Sequence, residues 1–274
     1  MENRQNIEEN EMSFLQHLEA LRWHLVRSVL AVMVLAITAF VFHKIIFDEI
    51  IIAPKTPEFF TNRLLCQFGT WVGVEKLCIN RQPFDIINIK MAGQFSTHIM
   101  VSLVLGLVIA FPYIIYEVWS FIKPGLRKSE RKKSRGGIVY SSLLFLLGVA
   151  FGYYIIVPLS VHFLGSYTVS EQVNNQINLS SYISTVTSVV LASGVIFELP
   201  ILVFFLSKIG LVSPEFLRKY RKHSLIIILA LSAIITPPDI FSQVLVSVPL
   251  LILYEVGIAI SKRVTKKSDE ILES

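Results

Sequence analysis

Residues 91–116 read MAGQFSTHIMVSLVLGLVIAFPYIIY and contain no Asp, Glu, Lys or Arg. A helix rises about 1.5 Å per residue, so this run is longer than the hydrocarbon core of a bilayer, which is roughly 30 Å thick. Further uncharged stretches cover residues 136–170, 172–197, 223–238 and 240–254, and another apolar run ends before Lys44. The chain is therefore predicted to be an integral membrane protein.

The composition supports an all-α membrane fold. The 274 residues are 53% hydrophobic and 16% charged, with a mean hydropathy of +0.63, which is too apolar for an ordinary aqueous domain. Six transmembrane helices are predicted, at residues 25–42, 91–115, 138–163, 182–207, 225–235 and 244–260. They divide the chain into an N-terminal arm at 1–24, a transmembrane domain at 25–263 and a tail at 264–274.

Lys and Arg are distributed unevenly along the chain. Of the 25, 19 lie before residue 28, in two loops at 123–135 and 208–222, and from residue 262 onward. The other six share a first outer loop, residues 44–90, with five acids. The positive-inside rule then predicts that both termini, and hence the arm and the tail, are cytoplasmic. Topology and anionic lipid account for the net charge of +5, which therefore does not indicate nucleic-acid binding.

The last two predicted spans are short. The uncharged stretches 223–238 and 240–254 are joined at Thr236-Pro237-Pro238-Asp239, which predicts a tight turn. About 16 helical residues reach roughly 24 Å, less than the average hydrocarbon thickness. Local thinning of the bilayer and mismatch relieved by oligomerisation both agree with this length.

Cys66 and Cys78 lie twelve residues apart in the first outer loop. In an oxidising compartment their thiols can form a disulfide, which would stabilise the protein by about 3 kcal/mol on the chain-entropy model. Two free thiols are the alternative that the sequence leaves open.

Glu198 occupies the most costly position in the chain. It lies ten residues before Lys208 on the fourth span, roughly 15 Å from the inner end. An ionisable group near the midplane costs about 2.5–3.5 kcal/mol on insertion scales, so Glu198 is expected to face a polar cavity, a partner helix or a proton. Pro200 removes a backbone donor and predicts a kink beside it. A functional role is favoured over a protonated Glu satisfied inside the bundle.

Other polar groups near the predicted membrane boundaries have milder interpretations. Glu117 and Glu255 precede inner-face lysines by six and seven residues, so both are expected to extend to the inner interface. Gln243 is expected to hydrogen-bond to a helix of another chain or to lie at a wet loop end. Glu130 stands in a loop with seven cations, and composition alone predicts a solvated basic loop there.

Three specific motifs follow one another along the chain. They are Tyr116-Glu117-Val118-Trp119-Ser120-Phe121-Ile122-Lys123-Pro124-Gly125-Leu126 leading into Glu130-Arg131, then Phe197-Glu198-Leu199-Pro200, then Thr236-Pro237-Pro238-Asp239-Ile240-Phe241-Ser242-Gln243. In these motifs, and from His17-Leu18 to Tyr254-Glu255-Val256-Gly257, the chain resembles the TatC family of twin-arginine translocase subunits. The match covers nearly the whole chain.

The resemblance implies a six-span, N-in and C-in protein of the bacterial cytoplasmic membrane. Such a protein is a receptor for the twin-arginine signal peptides of folded cargo. It recruits TatA-type and TatB-type single-span partners for export driven by the protonmotive force, and it works in a complex with several copies of itself. The resemblance implies no enzymatic activity and no cofactor.

The resemblance also implies roles for individual residues. Glu130 is expected to recognise the arginine pair, with Phe121 and Pro124 shaping the loop around it, because carboxylate and guanidinium can pair bidentately. Glu198, Gln243 and Thr236 match polar positions around the family's partner-helix contacts, where a hydrogen bond can specify register.

The chain departs from the family at the start of the first span. It reads His17-Leu18-Glu19-Ala20-Leu21-Arg22, whereas the family usually has an acid at the position of Ala20. Glu19 is adjacent but about 100° around a helix, so it replaces that acid only if the helix start is frayed or rotated. Glu19, under that condition, and Arg22 are expected at the signal-peptide site.

Two other classes of protein remain as alternatives. A proton-coupled secondary transporter would use Glu198 as its proton site, but it should also show repeated halves, and none are evident. An intramembrane hydrolase needs a nucleophile with a placed base, and Ser193 with His98 or His162 offers only the residue types, without a supporting motif.

Overall fold

The structure is a computed structural model that describes residues 14–74, 77–81, 84–123, 134–170, 172–173, 175–236 and 240–272. Its helices are α1 (Phe14–Val41), α2 (His43–Ile45), α3 (Phe60–Val72), α4 (Gly93–Ile122), α5 (Ser134–Phe151), α6 (Val157–Ser166), α7 (Leu179–Phe197), α8 (Leu199–Lys208), α9 (Pro214–Lys219), α10 (Arg221–Ile235) and α11 (Ile240–Leu272). Short π-helical and 3-10 segments occur at Ile46–Ile51, Gly152–Ile156 and Ala53–Lys55. Two strands, β1 (Ile86–Ile87) and β2 (Ile177–Asn178), complete the elements.

The described residues include five helical segments long and apolar enough to cross a membrane. They are Leu18–Val41, Gly93–Ile122, Gly136–Ser166, Leu179–Lys208 and Ser242–Thr265. The fifth span predicted from the sequence, residues 225–235, corresponds to α10, which at 15 residues is shorter than these segments. The fold is all-helical apart from the two-residue strands, as predicted.

Two of the predicted boundaries fall inside longer helices. α1 begins at Phe14, within the predicted arm, and α11 continues to Leu272, through most of the predicted tail. In both cases the helix continues beyond the apolar run, so a boundary placed by hydropathy alone does not reach the end of the helix.

The spans pack in a layered order along the chain. α1 lies antiparallel to α4, α5 packs between α4 and α7, and α8 and α10 both pack against α11. The buried centre is aliphatic and consists of residues such as Val101, Ile156, Ile183, Val186 and Leu250. Without a hydrophobic driving force between helices in lipid, close packing of this kind holds a bundle together.

A glycine allows a close backbone contact between the first two candidate spans. A Cβ atom on Gly106 of α4 would stand 2.7 Å from the Ala36 nitrogen and 2.8 Å from the Val32 oxygen, both on α1. Any larger residue would therefore push α1 away from α4. The contact fixes the spacing of the first two spans.

The described residues of the predicted outer loop form short elements, as expected from the sequence. The amide of buried Asn62 donates to the carbonyl oxygens of Pro54 and Thr56, at 3.0 and 2.7 Å. β1 pairs in parallel with β2, joining the first outer loop to the loop before α7. A bridge of two residues has no sequence signal. Cys66 and Cys78 form a disulfide in the structure.

Candidate functional site

Glu117 and His24 meet where α1 begins and α4 ends. Nδ1 of His24 lies 2.5 Å from Oε2 of Glu117, and Glu117 is only 3% exposed. The hydroxyl of Tyr113 and the guanidinium of Arg27 face the same carboxylate. The prediction that the Glu117 side chain extends to the inner interface is wrong, because the side chain is buried against α1. A buried carboxylate needs charged or polar partners, and His24, Tyr113 and Arg27 provide them here.

Helical periodicity brings His24 to this position. Ala20, His24 and Ser28 recur every four residues on α1, and this stripe is the half-buried side that faces α4. The hydroxyl of Ser28 donates to the His24 carbonyl at 2.9 Å. Sequence reasoning missed His24, although a polar residue repeated at intervals of four in an apolar helix is a usable signal for an interhelical contact.

The last turn of α4 is held on two sides. The ring of Phe121 stands edge-on to the His24 ring, with centroids 6.1 Å apart. Trp119 is buried and lies 5.1 Å from the Phe205 ring of α8. The end of α4 therefore has a fixed orientation where the basic loop begins. Pro124 and Glu130 lie outside the described residues.

Glu19 and Arg22 lie on the exposed side of α1. Their side chains are 68% and 66% exposed, and Glu19 Oε1 is 3.8 Å from Arg22 Nη2. An exposed pair of this kind contributes little to stability. α1 is continuous from Phe14, so Glu19 points about 100° away from Ala20. The frayed start that would let Glu19 replace an acid at Ala20 is absent from the described helix.

Glu198 stands between two helices. α7 ends at Phe197 and α8 begins at Leu199, with Pro200 in its first turn, so the predicted interruption is confirmed. The Glu198 carbonyl accepts from the amides of Ile201 and Leu202, both at 3.0 Å. The break places the Glu198 side chain at the junction of α7 and α8, while the Glu198 backbone carbonyl keeps its hydrogen bonds.

The Glu198 carboxyl group is only half satisfied. Ser141 of α5 is buried, and its hydroxyl donates to Oε2 at 2.7 Å. The other oxygen, Oε1, is also buried and has no hydrogen-bond partner among the described residues. The Phe145 backbone amide also lies near this carboxyl group. A buried carboxyl oxygen without a partner needs a proton or a further donor. Ser141 was missed because nothing in its apolar surroundings distinguishes it from Ser142.

Thr236 and Gln243 make hydrogen bonds within the chain. Thr236 is buried, and its hydroxyl donates to the Ser232 carbonyl at 2.8 Å. Gln243 Nε2 donates to the Leu229 carbonyl at 3.1 Å, which joins α11 to α10. Glu198, Thr236 and Gln243 thus have separate neighbours. The structure shows Gln243 in a contact inside this chain, and its contact with another chain stays a prediction.

The residues considered for hydrolysis have other neighbours. Ser193 packs against Gly152, so closely that a Cβ added to Gly152 would stand 2.8 Å from the Ser193 Oγ. His98 stacks on Phe40 with ring centroids 3.8 Å apart, and His162 Nδ1 accepts from the Asn80 amide at 3.3 Å. In the described part of the chain, no group of three or more His, Cys, Asp or Glu could hold a metal ion.

Long apolar helices with interhelical polar contacts define a multi-pass helical membrane protein. The family model described as "Sec-independent protein translocase protein (TatC)" matches residues 16–249. The chain therefore belongs to the TatC family. Members are non-enzymatic components of the twin-arginine translocase in bacterial membranes, so this chain is an integral membrane protein of protein transport and not an enzyme.

Individual relatives agree with the family match. The chain is 42% identical over 262 residues to TatC of Blattabacterium sp. subsp. Periplaneta americana, covering 95% of this chain and 98% of the relative. It is 33% identical over 261 residues to TatCy of Bacillus subtilis, covering 95% and 93%. A crystal structure of the twin arginine translocase receptor TatC superposes with a TM-score of 0.67 at 32% identity, covering 91% of this chain and 99% of that one.

Proposed function

We propose that this protein is the core receptor of a twin-arginine translocation system. It binds twin-arginine signal peptides of folded cargo at the cytoplasmic face and then recruits TatA-type and TatB-type single-span partners for export driven by the protonmotive force. Family membership supports the class of function. The observation that supports a signal-peptide site at this end of α4 is the His24–Glu117 contact. This contact fixes the end of α4 that precedes the loop with Glu130 in the sequence.

The proposed topology has six spans with both termini in the cytoplasm. Fifteen residues of α10 reach about 22 Å, which spans a locally thinned bilayer. An odd number of spans would place the termini on opposite sides, whereas both terminal regions carry the Lys and Arg typical of the inner side. The outer loop then faces an oxidising compartment, which favours the Cys66–Cys78 bridge. Non-reducing peptide mapping of membranes tests that bridge.

Glu130 is the proposed partner of the arginine pair. An Arg guanidinium presents two parallel donors that fit a carboxylate, and one acid among seven cations supplies the attraction that the rest of the loop lacks. Phe121, held against His24, and Pro124 are proposed to shape the approach to Glu130. Glu19 and Arg22 are exposed nearby on α1, and we assign them a secondary contact with the peptide.

The contact with partner helices is proposed at Glu198. Its buried Oε1 lacks a donor among the described residues, and a polar side chain on a single-span helix would supply one. Gln243 and Thr236 are proposed as further contacts at the outer hairpin. Assembly of several copies of the chain would place such surfaces side by side.

Peptide binding in membranes provides the direct test. A peptide with an Arg-Arg pair and an apolar stretch, carrying a photocrosslinker, should label the wild-type protein and lose most of its labelling with Glu130→Gln. Glu215→Gln removes an exposed acid from the second proposed inner loop and should keep the labelling. Lys-Lys in the peptide should weaken binding because ammonium groups cannot pair bidentately. Equal labelling of both variants would contradict the role of Glu130.

A further inference from the structure

Helix α3 of the outer cap exposes a continuous apolar surface. Five of its large hydrophobic residues are between 48% and 83% exposed: Phe60, Leu64, Phe68, Trp71 and Val72. Trp71 is the extreme, at 83% exposed. Single exposed apolar residues are ordinary, but five on one short helix form a patch that usually marks an interaction surface.

The helix is divided into three faces. With about 100° between successive residues, the five exposed apolar residues fall within roughly one third of the circumference, an arc that also holds the partly buried Thr61. Asn62 and Gly69 are buried on the face toward the protein. Arg63, Gln67 and Thr70 are exposed and polar, and they occupy the remaining face. One side therefore meets protein, one is suited to water and one is suited to an apolar medium.

Contacts with the third candidate span fix the depth of α3. The hydroxyl of Thr61 donates to the Tyr154 carbonyl, within the π-helical turn Gly152–Ile156. The ring of Phe60 stands edge-on to the Tyr154 ring, with centroids 6.3 Å apart. Tyr154 is eighteen residues beyond Gly136, where that candidate span begins. Eighteen helical residues rise about 27 Å, close to the far boundary of a hydrocarbon core of roughly 30 Å.

We propose that α3 lies in the outer membrane–water interface, with Phe60, Leu64, Phe68, Trp71 and Val72 embedded in the outer leaflet. The apolar face continues onto Tyr154, which is 45% exposed on the third candidate span. Aromatic side chains are enriched at this depth, and an amphipathic helix that lies in the interface needs the same separation of apolar and polar faces. The lipid surface is thus the occupant that these contacts favour.

The proposal concerns the membrane and not the signal peptide. It rests on the hydrocarbon core beginning near residue 136 of the third candidate span. It does not depend on the proposed roles of Glu130 or Glu198, so it can be tested without cargo or partner proteins.

Fluorescence quenching in vesicles provides the test. The protein is reconstituted in phosphatidylcholine vesicles at less than one copy per vesicle, with bromines placed near the carbonyl end of the acyl chains. The signal of Trp71 is obtained as the difference between the wild type and Trp71→Phe. The matched control is Gln67→Trp in the Trp71→Phe background, because Gln67 lies on the polar face of the same helix.

The expected result is a contrast between the two positions. Bromolipid should quench at least half of the Trp71 signal and aqueous iodide should barely affect it, whereas iodide should quench the tryptophan at position 67 strongly. Equal iodide quenching at both positions would place the apolar face in water and overturn the proposal. Shielding of Trp71 from both quenchers would mean that protein covers the face, which also overturns it.

Discussion

Two carboxyl groups within the helical bundle differ in how far their own chain satisfies them. Glu117 is enclosed where α1 and α4 meet and is paired with His24. Glu198 lies at the break between α7 and α8 and has one buried oxygen without a partner among the described residues. A group that is satisfied internally holds a structure together, whereas a group with an unused acceptor is available to a proton or a second molecule. Burial alone does not distinguish the two cases.

The largest expected effect comes from removing Glu117. Glu117→Ala leaves the largely buried His24 side chain, which is 20% exposed, without its carboxylate, so the free energy of unfolding should fall by roughly 3–5 kcal/mol. Glu255→Ala is the matched control, because its ion pair with Arg221 at 2.7 Å is half exposed. That change should cost no more than about 1 kcal/mol. Thermal unfolding in detergent measures both, and equal losses would show that the His24–Glu117 contact is not structural.

The spans could be predicted from sequence and the His24 contact could not. A long run without charges can be recognised as a span without knowing which helices pack against it. Pro200 marks the break beside Glu198 because proline lacks a backbone donor. Glu117 and His24 are 93 residues apart, and their contact depends on how two helices rotate about their axes. The short sequence distance from Glu117 to Lys123 predicted that the Glu117 side chain extends to the interface. The rotation of α4 about its axis instead turns Glu117 toward α1, where its side chain is buried.

The second expected effect compares two adjacent serines on α5. Ser141→Ala removes the donor to Glu198 and leaves a second carboxyl oxygen unpaired, which should cost about 1–3 kcal/mol. Ser142→Ala is the control, since the buried Ser142 hydroxyl has no hydrogen-bond partner among the described residues. It should be nearly neutral. Unfolding measurements on the two variants separate them, and a greater loss from Ser142→Ala would contradict the assignment.

Glu198→Gln gives the functional side of the same comparison. The amide oxygen can still accept from Ser141, so the free energy of unfolding should change by less than about 1 kcal/mol. Export of a folded twin-arginine reporter should nevertheless fall severalfold, while crosslinking of the signal peptide persists. Unchanged export would contradict a functional role for the Glu198 carboxylate.

A smaller effect is expected where α10 packs against α11. Gln243→Leu removes the hydrogen bond to the Leu229 carbonyl between α10 and α11, and such bonds in membrane proteins average about 0.6 kcal/mol. Val244→Leu, which changes an exposed neighbour, should have no effect of this kind. If Gln243→Leu also abolishes crosslinking to partner helices while the protein stays folded, the residue serves both contacts. Retained crosslinking would confine Gln243 to its own chain.

The smallest expected effect concerns the start of α1. Glu19 is exposed and weakly paired, so Glu19→Ala should leave thermal unfolding unchanged and reduce labelling by the Arg-Arg peptide much less than Glu130→Gln does. Ala20→Glu places a carboxylate one turn before His24, on the stripe that faces α4, and should increase the labelling. A loss from Glu19→Ala as large as that from Glu130→Gln would mean that Glu19 reaches the arginine pair despite its direction on the helix. The side of α1 that carries the acid, and not only its distance along the chain, would then cease to matter for recognition.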